Sequence, residues 1–223
     1  MTITNLKSLF RAFCAAILLL LAPSLVGAQT DAPDAAPTAA PNIAPATAIS
    51  GCTGVAGNDV LTVSFTATRT PCFTVAGDNA ILNLNGFTVT AGTGASVGVS
   101  SSGHTNLIVE NGTLDEFSVA VDTSGSLNTS LLNMVIENST STTTPAANLS
   151  TTSNGGASYV QNSIFAFNLG DGLSIGANSI VTDSISYDNN GNGVDVTGCP
   201  GNELANLSHK NTRSDWNGTC TFQ

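Results

Sequence analysis

Asn168-Leu169-Gly170-Asp171-Gly172-Leu173-Ser174-Ile175 is followed, 21 positions on, by Asn189-Asn190-Gly191-Asn192-Gly193-Val194-Asp195-Val196. Both carry the frame Asn-x-Gly-x-Gly-aliphatic-x-aliphatic, and the match extends backwards to Asn162 and Asp183. With Asn-x-aliphatic as the anchor, further copies begin near Asn85, Asn111 and Asn133 and a worn one near Ala205, in steps of 26, 22, 29, 21 and 22 residues. A unit of this length cannot bury an apolar face alone, but stacked copies can, so the period predicts a solenoid. Short apolar alternations such as Ala80-Ile81-Leu82-Asn83-Leu84 and Leu132-Asn133-Met134-Val135-Ile136, bounded by Asn-Gly, Gly-Asp and Ser-Gly turns, predict its strands. The 21-residue step puts Ile164 over Ile185 and Leu207, Leu173 over Val194, Ile175 over Val196 and Val160 over Val181 as core columns. It also aligns Asn168, Asn189 and Asn211, whose amides are expected to bond from rung to rung as a ladder.

The remaining sequence frames these repeats. Lys7 and Arg11, the apolar run Phe13 to Leu21 and the small-residue ending Val26-Gly27-Ala28 read as a secretory signal peptide over residues 1–28. Residues 29–50, dense in Ala and Pro, read as a linker, because proline at this frequency opposes helix and sheet pairing. Residues 51–223 read as one domain, and no later run is long and apolar enough for a transmembrane segment. Four cysteines stay with it, Cys52, Cys72, Cys199 and Cys220, an even number suited to a secreted, extracellular or periplasmic protein. Of the three connectivities, Cys52 with Cys72 and Cys199 with Cys220 is favoured, stapling a cap at each end, with Trp216 as a lid on the last rung. A metal site lacks CxxC spacing and nearby histidines. Once the signal is removed, Arg69, Lys210 and Arg213 face 15 acidic residues, a formal balance of −12. Such a surface repels nucleic acid and anionic membranes.

Val75-x-x-Asp78-Asn79-Ala80-x-Leu82-x-Leu84-Asn85-Gly86, Ile108-Val109-Glu110-Asn111-Gly112-Thr113-Leu114-x-x-Phe117 and the two Asn-x-Gly-x-Gly copies resemble right-handed parallel β-helix repeats of the pectate-lyase-like superfamily. The resemblance spans about Thr74 to Asn211 and implies an all-β, short right-handed parallel β-helix of about six rungs, with disulfide-bonded caps. At about 4.8 Å per rung the stack is roughly 25 to 30 Å long. The resemblance also implies polysaccharides, and above all polyuronates, as substrates of the enzymes on this fold. Proton abstraction beside a uronate needs a cation or metal to stabilise the enolate. With the signal removed this chain keeps three cations, and it lacks the Asn-Thr-Asp, Asp-Asp and Gly-His-Gly motifs of the hydrolases and the Asp-Pro-His motif of the epimerases.

Candidate site residues fall in three groups. If the registers hold, Asp115, Glu137, Ala166, Tyr187 and His209 share a column, in which Asp115, Glu137 and His209 are candidates for acid–base work. The alternative is that the 29-residue step hides a register slip, leaving unrelated loop residues. Phe165 and Phe167, taken as flanking an inward Ala166, are expected to point outward and stack on sugar faces, unless the insertion Ser139 to Ala157 folds over them. Asn190-Gly191-Asn192-Gly193-Val194-Asp195-Val196 partly matches a calcium-binding nonapeptide, so Asp171, Asp188 and Asp195 are candidates for calcium. The motif occurs once rather than in tandem, and turn-forming aspartate is the structural alternative. No other cofactor is expected.

Three functions follow. The first is a secreted, non-catalytic β-helix binding carbohydrate, such as a polysaccharide or surface glycan, or an extracellular surface. The second is a polysaccharide lyase, glycoside hydrolase or epimerase. The third is a structural piece of a surface assembly.

Overall fold

Asparagine at the corners decides how this chain turns. In the computed structural model, Asn85, Asn111, Asn133, Asn162 and Asp183 all adopt left-handed backbone, with φ of 51, 59, 54, 48 and 52°. Asn and Asp tolerate this conformation better than other side chains, and one such residue bends a strand sharply. A second column, Asn79, Asn106, Asn128 and Asn178, has φ of 57 to 63°, and a third, Glu116, Asn138, Phe167, Asp188 and Lys210, of 52 to 63°. Three corners per repeat give three strand faces per rung.

The structure describes residues 45–149, 156–176, 178–197, 202–204 and 207–217. The chain divides into two units, Met1–Asn42 and Ile43–Gln223. The first unit, with the signal segment and most of the Ala/Pro stretch, lies outside the described residues, as do Cys199 and Cys220.

Every strand pair described is parallel. The first face runs through Asn58–Leu61, Ile81–Asn83, the opening halves of Ile108–Asp115 and Ser130–Glu137, then Tyr159–Gln161, Ile180–Thr182 and Asn202–Leu204. The second takes Phe65–Ala67, Thr88–Ala91, the closing halves of those two long strands, then Ile164–Ala166, Ile185–Tyr187 and Leu207–His209. On the third lie Gly54–Val55, Phe73–Val75, Val97–Thr105, Val119–Leu127, Ala147–Leu149, Leu173–Gly176, Val194–Thr197 and Trp216–Asn217. The result is a parallel β-solenoid of about six turns, consistent with a right-handed parallel β-helix. Thr47–Ile49 pairs with Asp59–Leu61, so pairing begins inside the stretch read as linker. Strands at Gly54–Val55, Asn58–Leu61, Phe65–Ala67 and Phe73–Val75 likewise make the expected N-terminal cap part of the stack. The Cys52–Cys72 disulfide is present and bridges Cα atoms 4.5 Å apart. It joins adjacent rungs of the third face, where Gly54 pairs with Thr74.

Three buried columns fill the interior. Leu82, Val109, Leu131, Val160 and Val181 line the first face. Val89, Leu114, Ile136 and Phe165 line the second. Val99, Val121, Ala147, Leu173 and Val194 line the third. Burying a Val, Leu, Ile or Phe side chain contributes roughly 1.5–3 kcal/mol, and each column shares that gain between neighbouring rungs. Ile164, Ile185 and Leu207 do stack in register. Ile164 and Ile185, however, are half-buried on the outer side, while Phe165 between them in the sequence is 1% exposed and points inward. The inward reading of Ile164 and the outward reading of Phe165 are therefore reversed.

Amide and hydroxyl ladders tie the rungs together. Asn168 Nδ2 donates to Asn189 Oδ1 at 2.8 Å and Asn189 Nδ2 to Asn211 Oδ1 at 2.8 Å, the ladder expected from the repeat. Two further ladders run along corners, Asn128 to Asn106 to Asn79 at 3.1 and 2.9 Å, and Asn133 to Asn111 at 3.0 Å. Serines just past the first corner, that of Asn162 and Asp183, bond similarly: the Ser163 hydroxyl accepts from Met134 N, and that of Ser184 from Ser163 N, both at 3.2 Å. Gly172 explains the glycine in the repeat frame. A Cβ there would stand 2.7 Å from the Gly193 carbonyl, 2.8 Å from Ser186 Oγ and 2.9 Å from Asn189 Nδ2.

Candidate binding surface on the second face

Asp115, Glu137, Ala166, Tyr187 and His209 occupy successive positions of one column, half-buried at four of them and buried at Ala166, which is 1% exposed. No register slip interrupts them, even across the 29-residue step between Glu137 and Ala166, and Thr90 continues the column at its start. The added residues of the long step loop out past the corner and return as Ala147–Leu149 on the third face, leaving the second face in register.

The column is acidic at its centre and aromatic toward its C-terminal end. Asp115 Oδ1 accepts a hydrogen bond from Asn138 Nδ2 at 2.8 Å, so the adjacent corner fixes that carboxylate. Glu137 is half-buried beside it on the next rung. The Tyr187 and His209 rings stack at 5.7 Å with an interplanar angle of 23°. Phe167, at a left-handed corner, sets its ring edge-on to Tyr187 at 5.1 Å. His209 Nδ1 is buried without a hydrogen-bond partner among the described residues.

Of the two aromatic candidates, then, Phe167 joins this surface and Phe165 does not. Phe165 cannot meet a sugar face, because alternation from the corner at Asn162 turns it into the core above Ile136. The three aspartates considered for calcium are not brought together. Asp171 lies in a turn, where its Oδ1 accepts from Asn192 N at 2.6 Å. Asp188 occupies the third corner, and Asp195 pairs with Ser174 on the third face. Among the described residues no three His, Cys, Asp or Glu side chains form a group able to hold a metal ion. Neither does any helix there have the length and apolarity to cross a membrane.

A cleft of about 390 Å³ opens just past the third corner, lined by Thr142, Thr143, Leu169, Asp171, Asn190 and Arg213 over the backbone of Gly170 and Gly191. The sequence reading missed it, because two of its walls lie in the irregular step beginning at Ser139. Gly170 carried a signal nonetheless: a Cβ on Gly170 would stand 2.5 Å from the Thr144 carbonyl and 2.9 Å from that of Ser141. At Gly191 the crowding comes instead from Asp171 and Gly170 of the preceding rung, so Gly170 alone marks where the loop approaches the turn.

Against family models, curated proteins and solved structures, the chain shows no match.

Proposed function

We propose that this chain is a secreted, non-catalytic β-helix protein that binds a carbohydrate along the outer side of its second face. The unbroken register of Asp115, Glu137, Ala166, Tyr187 and His209 carries the reading. Five rungs at about 4.8 Å span roughly 19 Å, with an acidic pair and an aromatic pair on either side of the buried Ala166, long enough for several sugar units of an extended chain. Carboxylates accept hydrogen bonds from sugar hydroxyls, and aromatic rings offer apolar surface to sugar C–H groups. Because Tyr187 and His209 already face each other, a saccharide meets the rim of the pair, with Phe167 beside it. The Cys52–Cys72 bridge suits an oxidising compartment where such glycans are found.

Retention of neutral polysaccharides by the disulfide-intact mature protein tests this. Tyr187→Ala combined with Phe167→Ala is expected to weaken retention by roughly tenfold or more, equivalent to about 1.4 kcal/mol or more. Unchanged retention by a folded double variant would sink the proposal. A hydrolytic reading is favoured by one observation, the adjacent positions of Asp115 and Glu137. Retaining glycosidases hold two carboxyl groups about 5 Å apart. New reducing ends made by the wild type and abolished in Glu137→Gln would establish that reading in place of the non-catalytic one.

A further inference from the structure

We infer that the cleft past the third corner binds one neutral hexopyranose unit; this rests on the reading that the second face holds a carbohydrate. Phe167, Asp188 and Lys210 end the second face, and Leu169, Asn190 and Arg213 follow within three residues of them. A chain lying on the strip reaches the cleft without crossing another rung. Its volume of about 390 Å³ lies in the range of small-ligand sites and fits a single sugar rather than an oligosaccharide.

The walls match a polyhydroxylated ring. Asp171 accepts hydrogen bonds only and Arg213 donates them only, and both line one cleft. Each hydroxyl of a sugar diol donates one bond and accepts others, so it can bridge an acceptor and a donor placed in this way. The Thr142 and Thr143 hydroxyls and the Asn190 amide add groups of both kinds, while Leu169, 47% exposed, offers apolar surface to the C–H side of the ring.

The backbone around the cleft is already tied, which reduces the ordering cost of binding. Ala146 N donates to the Asp171 carbonyl at 2.8 Å, Gly191 N to Gly170 O at 3.0 Å and Arg213 N to Gly191 O at 3.2 Å. Ser141 Oγ accepts from Thr144 N at 3.1 Å, fixing the opposite wall. Charge gives anionic sugars no advantage. Asp171 and Arg213 cancel in formal charge within the cleft, so it carries no net positive charge that would favour an anionic sugar over a neutral one.

The test is an amide-resolved NMR titration of the mature protein with methyl gluco-, galacto- and mannopyranosides and with a methyl glucuronide. At least one neutral glycoside is expected to shift the Leu169, Gly170, Asp171, Asn190 and Gly191 amides with a millimolar dissociation constant. Arg213→Ala and Asp171→Asn, the latter keeping an acceptor for Asn192 N, are each expected to weaken that binding about tenfold. No shift at tens of millimolar of any neutral glycoside, or a preference for the glucuronide, overturns the assignment. The same titration on the Phe167→Ala, Tyr187→Ala protein separates the two claims. In that variant, lost polymer retention with intact cleft shifts upholds the strip and the cleft as separate sites, whereas in the wild type polymer retention without cleft shifts overturns the cleft alone.

Discussion

Replacing Phe165 with alanine lowers the stability of the solenoid by about 3–5 kcal/mol, the usual cost of removing a buried phenylalanine from a packed core. The ring is 1% exposed, with Ile136 on one side of its column and Ser186 on the other. Neither neighbour can refill the space: Ile136 is held by its own strand, and the Ser186 hydroxyl is committed to the Gly193 carbonyl at 2.8 Å. Phe167→Ala, at a half-buried corner, is expected to cost less than about 1.5 kcal/mol, within reach of a lost aromatic pair. Urea-unfolding midpoints of the two variants measure the difference. A Phe165→Ala loss below that of Phe167→Ala would mean that the second face is inverted.

Asn189→Ala is the second large effect, expected at about 3 kcal/mol or more. Asn189 Nδ2 donates to Phe165 O at 3.1 Å, Ser186 Oγ at 3.0 Å and Asn211 Oδ1 at 2.8 Å. Its Oδ1 accepts from Asn168 N at 3.1 Å and from Asn168 Nδ2 at 2.8 Å. The side chain is 1% exposed, so truncation strands partners on two rungs, each stranded buried group costing about 1–3 kcal/mol. Asn190→Ala, at the exposed neighbouring position, is expected to change stability by less than about 0.5 kcal/mol. Equal losses at the two positions in calorimetry would show that the ladder contributes nothing particular.

Much of this architecture is legible in the repeats, for physical reasons. A left-handed corner restricts its residue to Asn, Asp or a few tolerated exceptions, so Asn85, Asn111, Asn133, Asn162 and Asp183 mark the turns directly. The Asn168 ladder is legible because a buried amide needs a partner on each side at the rung spacing. What misleads is Ser186. A polar residue opposite Phe165 suggests an outward column, and the isoleucines at Ile164 and Ile185 suggest the inward one. Ser186 is tolerated inside because both the Gly193 carbonyl and the Asn189 amide bond to it. Leu114 and Ile136, in the same column, carry the correcting signal, since two aliphatics precede Phe165 there. The cleft is illegible for a different reason: an irregular loop has no period, and only its contact with Gly170 leaves a trace in the repeat.

The inner column of the second face runs Val89, Leu114, Ile136, Phe165, then Ser186 and Ser208, so hydrocarbon gives way to hydroxyl and amide groups toward the last rungs. Apolar burial carries most of the heat-capacity change of unfolding, and polar burial opposes it. The two halves of this face therefore respond differently to temperature, its early rungs weakening on cooling as well as on heating and its late ones following the enthalpy of their ladders. Because each rung leans only on its neighbours, opening starts at the polar end and travels inward. Native-state hydrogen exchange is expected to be slowest at Leu82, Val109 and Leu131 and fastest at Ser186 and Ser208, and uniform protection would contradict this. A face that is oily at one end and stitched by hydroxyls and amides at the other frays in a single direction.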